Sequence, residues 1–164
     1  MGLFDFLKKK ESANEMLGAP IEGEAVESAE ISDPTFGMEL LGKGMAIKPA
    51  VGKVYAPVNG TVTMVFDTKH AISITSEGGA EILIHIGLDT VSLNGAPFTI
   101  HVNADDKVKK GDLIAEFDMD AIKAAGLETI TPVIICNTDD FKDVVRFTGK
   151  MVKPGDDIIE LVKE

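Results

Sequence analysis

Nine short runs of strand-forming residues follow one another along this chain, at positions 45–47, 54–56, 61–66, 72–75, 81–86, 98–102, 113–117, 133–136 and 158–162. Glycine, proline and Asn/Asp turn residues punctuate them before a long helix could form. Strands this short bury enough surface only as stacked layers. The expected fold is therefore all-β, an antiparallel β-sandwich or barrel-like domain with one or two short helices. Helix signals are sparse: residues 118–125 begin on an acidic residue and stop before Gly126, and 139–145 offer a second short helical turn. One internal echo is clear, since Val108 to Glu116 and Val152 to Glu160 share the pattern V-K-x-G-D-x-I-x-E. Two copies are too few for a solenoid, and the echo reads as a β-turn device used twice. Biotinyl and lipoyl carrier domains use similar turns, but the Met-Lys-Met or Asp-Lys-Ala tip they require is not found in the sequence.

The 164 residues fit one domain, placed here at 19–164, behind a flexible or amphipathic leader at 1–18. Residues 11–35 are polar with little periodicity and read as a linker running into an extended entry segment. Lysine and arginine number 16 against 27 acidic residues, a net charge of −11, so a phosphate backbone is repelled and no nucleic acid is expected as a partner. Cys136, the single cysteine, closes the apolar run Val133-Ile134-Ile135 and reads as a reduced core residue of a cytoplasmic protein. In the leader, Leu3, Phe4 and Leu7 share a helix face beside Lys8, Lys9 and Lys10. Residues 1–10 are thus a frayed end or a weak contact to the inner face of an anionic membrane. The apolar stretch precedes the lysines, the reverse of a secretory signal, and Phe6 spoils a myristoylation motif.

The most informative segment runs from Thr68 to Gly87. Gly78-Gly79 reads as the two-residue turn of a hairpin, which pairs Ile74 with Leu83, Ile72 with His85 and His70 with Gly87. Opposed residues share a face, so Thr68, His70, Ile72, Ile74, Leu83 and His85 are expected on one side and Ile82, Ile84 and Ile86 on the core side. On that register the two imidazoles are diagonal neighbours, roughly 7–8 Å apart at the backbone, and Gly87 leaves room beside His70. A three-residue loop would slip the register and separate the rings. Apolar side chains around convergent polar groups mark a docking face.

Near neutral pH an imidazole offers a lone pair on one nitrogen while the other donates a hydrogen bond, so it can attack phosphorus and carry the group. A second imidazole can steady the phosphoryl oxygens, and Thr68 can fix the ring of His70 by hydrogen bonding. No nucleotide-binding glycine loop is found in the sequence, so the group must come from another protein. No cofactor is required for this chemistry. The competing readings are zinc at His70 and His85, with a carboxylate such as Asp89, and a purely regulatory module that binds other proteins through the same apolar face. His101 is the remaining histidine and reads as a sheet-surface residue.

Four segments then stand out in order: Gly44 to Pro49, Ala56 to Val62, Thr68 to Ala71, and Ile84 to Val91. Together they resemble the glucose-type enzyme IIA of the bacterial phosphoenolpyruvate-dependent sugar phosphotransferase system. Met1-Gly2-Leu3-Phe4-Asp5 also looks like the membrane-associating leader of stand-alone members. The resemblance implies an antiparallel β-sandwich in which the histidine-containing phosphocarrier protein phosphorylates His85 on Nε2. His85 would then pass the group to a cysteine of a sugar-specific IIB domain. It implies His70 as the second active-site histidine, Thr68 as its hydrogen-bonding partner and Gly87 as an active-site glycine. Phe36, Leu41, Phe66, Leu83 and Val91 fall at the family's apolar docking rim, and Ile72 and Asp89 complete the docking set. Regulated transporters or enzymes are further expected partners of that face. Carboxylates beside His85 would repel an incoming phosphoryl group, so the acidic excess is expected elsewhere.

Overall fold

Alternating apolar positions are satisfied by antiparallel pairing throughout. The computed structural model describes residues 14–163, which include fourteen strands. The largest sheet has eight, in the order β13 (Lys150–Val152), β2 (Gly23–Glu27), β3 (Lys43–Pro49), β11 (Thr131–Ile135), β7 (Glu81–His85), β6 (Ala71–Ser76), β5 (Gly60–Val65) and β9 (Lys107–Val108). Two three-stranded sheets accompany it: β1 (Glu15–Gly18), β14 (Asp157–Val162) and β12 (Asp143–Arg146), then β4 (Lys53–Tyr55), β10 (Leu113–Phe117) and β8 (Phe98–Ile100). Two short helices are seen among the described residues, α1 (Pro34–Gly37) and α2 (Met119–Ala124). The Asp118 side chain caps α2 by accepting from Ala121 N–H at 3.0 Å, and Gly126 follows it at φ 79°, as the sequence signals predict. Among the described residues no helix is long and apolar enough to cross a membrane.

Both faces of the central strands are covered. Ile72, Ile74, Ile82, Ile84, Val133 and Ile135 enter the main core, while Ala71, Leu83 and Ile134 on the opposite face join a smaller cluster with Val26, Ile31 and Phe36. The repeated V-K-x-G-D pattern is one device in two places. Lys109 N–H donates to Asp112 Oδ2 and Lys153 N–H to Asp156 Oδ2, each at 2.8 Å. Gly111 N–H then reaches the Ala56 carbonyl and Gly155 N–H the Ala19 carbonyl, at 2.9 and 3.0 Å.

Several expectations need correction. Residues 139–145 are not helical: a 3-10 turn spans Thr138–Asp140, and Asp143–Arg146 pairs with β14. The pairing surface of β14 outweighs the weak local helix signal. Residues 15–18, read as the end of the leader, form β1 against β14, and Gly23–Glu27, read as linker, forms β2 between β3 and β13. Their partners are distant in sequence, so local composition carried no trace of them. The readings of residues 1–13 lie outside the described residues. Cys136 is exposed rather than buried, because it stands one residue past the end of β11.

The hairpin turn also differs. Ser76 N–H donates to the Ala80 carbonyl and Gly79 N–H to the Ser76 carbonyl, so three residues, Glu77 to Gly79, make the loop. Gly79 takes φ 93°, the left-handed position that follows a type I turn in such loops. The register accordingly pairs Ala71 with His85, Ile72 with Ile84, Ser73 with Leu83 and Ile74 with Ile82. All four of these isoleucines therefore point to the main core, and Ile72, fully buried there, is not a docking residue.

Leu17 on β1 is fully buried, whereas Met151 on β13 is 66% exposed. Leu17→Ala should lower the urea-unfolding free energy by about 2–5 kcal/mol, and Met151→Ala should stay within about 0.5 kcal/mol of the parent. Equal effects would show that β1 does not belong to the cooperative fold.

Candidate active site

His85 ends β7, and His70 stands just ahead of β6 in the loop after β5. In that loop Lys69 N–H donates to the Phe66 carbonyl at 2.8 Å, and Lys69 takes φ 60°. The strand alternation stops here, so His70 is released from the face that a continued β6 would impose. Its carbonyl accepts Ile86 N–H at 2.7 Å, which fixes it beside the end of β7. The two imidazoles meet edge to face, with centroids 4.9 Å apart and planes at 79°. The slipped register thus leaves the rings in contact, because His70 lies outside the ladder that slipped.

Each ring has a defined partner at Nδ1. For His85 it is the Gly87 carbonyl at 2.7 Å, and for His70 the Thr68 hydroxyl at 2.7 Å. A carbonyl oxygen only accepts, so Nδ1 of neutral His85 carries the proton and Nε2 presents a lone pair. Gly87 can serve because it has no side chain. Its φ is 75°, and a Cβ there would sit 2.7 Å from Thr90 Cγ2 and 2.8 Å from the Glu128 carbonyl.

Burial holds the His85 imidazole below its ordinary pKa of 6.5, against the upward pull of the Gly87 hydrogen bond and of the Asp33 and Asp89 carboxylates. His70 is lowered to about 4, by burial first and then by the neighbouring His85. Both rings are therefore neutral at pH 7. The carboxylates correct the expectation that acidic groups would keep away from His85. Asp89 is exposed at φ 59°, and Asp33 caps α1 by accepting Thr35 N–H at 2.9 Å. Asp33 escaped the reading of the sequence, although Asp33-Pro34-Thr35 carries the cap-then-proline signal of a helix start.

The surrounding apolar residues divide by depth. Phe36 lies with its ring 4.7 Å from that of His85, and Phe66 lies edge-on to His70 at 5.4 Å. Leu83 is 8% exposed and shares the His85 face of β7. Leu41 and Val91 stand exposed, on the segments that follow Phe36 and Asp89. Ile72 is the one proposed docking residue directed away from the site. Exposed His101 is bound to Glu116 at 2.8 Å, as a surface histidine should be. Among the described residues no group of three or more His, Cys, Asp or Glu is arranged to hold a metal ion. The histidine pair alone supplies two of the four ligands that zinc commonly takes.

Comparison with known proteins gives this geometry a context. Residues 15–141 match the family described as phosphoenolpyruvate-dependent sugar phosphotransferase system, EIIA 1. The glucose-specific EIIA component of Oceanobacillus iheyensis is 45% identical over 153 residues, covering 93% of this chain and 93% of that protein. The β-glucoside-specific EIIBCA component of Bacillus subtilis is 49% identical over 152 residues, but the chain spans only 25% of its length. Among solved structures, glucose permease IIA from Mycoplasma capricolum superposes with a TM-score of 0.85 at 36% identity, covering 90% of this chain and 96% of that one. A match over most of the chain, in both sequence and fold, identifies it as a member of the EIIA 1 family of the phosphoenolpyruvate-dependent sugar phosphotransferase system.

Proposed function

We propose that His85 is the phosphoryl acceptor of this EIIA domain and that His70 steadies the group during transfer. The supporting observation is the Nδ1–H bond from His85 to the Gly87 carbonyl, which leaves Nε2 as the nucleophile. The donor is the histidine-containing phosphocarrier protein. Nε2 of His85 forms the new P–N bond as the donor's P–N bond breaks, and the released electron pair stays on the donor imidazole. No proton leaves His85. In the second step a cysteine thiolate of a IIB domain attacks phosphorus, and the P–Nε2 electron pair returns to His85. Both steps run on imidazole chemistry and need no bound cofactor.

In this reading the Thr68 hydroxyl, 2.7 Å from Nδ1 of neutral His70, is the donor, which puts the proton of that ring on Nε2, where it can be shared with a phosphoryl oxygen. Phe36, Phe66 and Leu83, with exposed Leu41 and Val91, form the docking face, which excludes water from the reacting atoms. Asp33 and Asp89 give that face negative charge, suited to partners that present arginine or lysine beside their own reactive group. Coupled sugar uptake is the process this carrier serves.

Incubation with phosphoenolpyruvate, enzyme I and the phosphocarrier protein should give acid-labile, alkali-stable phosphate on the wild-type chain and none on His85→Ala. Undiminished labelling of that variant would refute the acceptor assignment. His70→Ala should still load, but transfer to IIB should slow on the order of a hundredfold, the usual cost of removing one oxyanion donor. Unchanged transfer kinetics would remove His70 from the mechanism.

The neutral state of His70 has its own signature. With its pKa lowered from 6.5 to about 4, the unfolded chain gains a proton below pH 6.5 that the folded chain takes only near pH 4. Stability is therefore full above pH 6.5 and is lost progressively as the pH falls towards 4. His70→Gln does not titrate and should flatten that loss in urea unfolding followed against pH. A slope identical to wild type would mean that His70 is not held neutral by the fold.

A further inference from the structure

Phe36 reaches His85 from α1, a helix of only four residues, so contacts beyond the helix must hold it in place. Just past it stands Glu39, a non-glycine residue at φ 57°. This left-handed conformation costs free energy in a residue with a Cβ and persists where contacts determine it. The Glu39 carboxylate supplies them. Oε2 accepts from Arg146 Nη1 at 2.7 Å and from Gly44 N–H at 2.9 Å, and it lies 3.3 Å from the Ser28 hydroxyl. Arg146 closes β12 in one sheet, whereas Gly44 belongs to β3 in another, so the cluster ties two sheets together. Glu39 is also bound directly to the docking residue, through its N–H to the Phe36 carbonyl at 3.0 Å. About 30% of each side chain remains exposed, 32% for Arg146 and 28% for Glu39, which limits screening without removing it.

We propose that Arg146 and Glu39 are positioning residues that seat Phe36 against the His85 ring and hold exposed Met38, Leu40 and Leu41 in the arrangement that partner proteins meet. The cluster works through Phe36 and touches no reacting atom. This inference rests on the reading of His85 as acceptor only for its consequence in transfer, because the geometry of the ring contact is independent of that role.

The test follows the His85 ring protons by NMR in the unphosphorylated protein, in wild type and in Phe36→Ala, Arg146→Gln, Arg146→Lys and Glu39→Gln. Arg146→Gln and Glu39→Gln should move the His85 resonances towards their Phe36→Ala positions, and Arg146→Lys, which keeps the charge, should stay nearer wild type. The KM for the phosphocarrier protein should rise about fivefold in Arg146→Gln, with kcat within about twofold, as expected for lost docking rather than lost chemistry. Glu39→Gln retains acceptor oxygen for Gly44 and Ser28, so it reports even where Arg146→Gln folds poorly. Folded variants that keep wild-type His85 resonances and wild-type KM would overturn the proposal, whatever their thermal stability. Failure of His85 as acceptor would appear separately, as labelling that persists in His85→Ala, and leaves the resonance test standing.

Discussion

The hydrogen bond from His85 Nδ1–H to the Gly87 carbonyl, at 2.7 Å, is the constraint around which the site is arranged. In water an imidazole exchanges between tautomers, and a neutral hydrogen bond worth about 1 kcal/mol already shifts their ratio roughly fivefold. That bond requires the carbonyl to turn back towards the ring. The turn requires a positive φ at Gly87, in a place where Thr90 and the Glu128 backbone leave no space for a Cβ. The adjoining Ile86 N–H holds the His70 carbonyl, so the same few residues that set the tautomer of one ring also place the other.

Burial and charge act in opposite directions on His85 and in the same direction on His70. Desolvation lowers both imidazoles, whereas Asp33 and Asp89 pull His85 upward. The result is a neutral imidazole in negatively charged surroundings. On the proposed mechanism such a site receives a phosphoryl group and holds it with few local donors, His70 foremost. That suits a carrier, since a site that bound the group tightly would raise the barrier to passing it on.

The apolar residues follow the same division of labour. One face of β6 and β7 supplies the main core through Ile72, Ile74, Ile82 and Ile84. The other supplies a smaller cluster, from which Phe36 packs against the His85 ring and Leu83 shares the His85 face of β7. Phe36 belongs to a segment tethered at Glu39 by Arg146, a residue 107 positions away in sequence. An ion pair between a loop carboxylate and a strand arginine so far along the chain leaves no periodic mark in the sequence.

Much of the fold was legible because it rests on local chemistry. Alternating β-branched runs predict strands, Asp118 and Gly126 bound a helix, and V-K-x-G-D predicts a turn in both places where it occurs. The order of motifs around His70 and His85 pointed to the family. The strands β1, β2 and β12 were not legible, since each is short, carries only two apolar side chains and is defined by its pairing. The hairpin shows the limit most clearly. Gly78-Gly79 announced a turn, but only the fold decided that Glu77 joined it, slipping the register and sending Ile72 into the core. The sequence by itself determined which side chains are capable of the chemistry, because an imidazole, a hydroxyl and a glycine have those properties wherever they stand. Tertiary structure alone decided that the rings meet, because the bend at Lys69 and the bond from Ile86 to His70 place one histidine outside the ladder that carries the other.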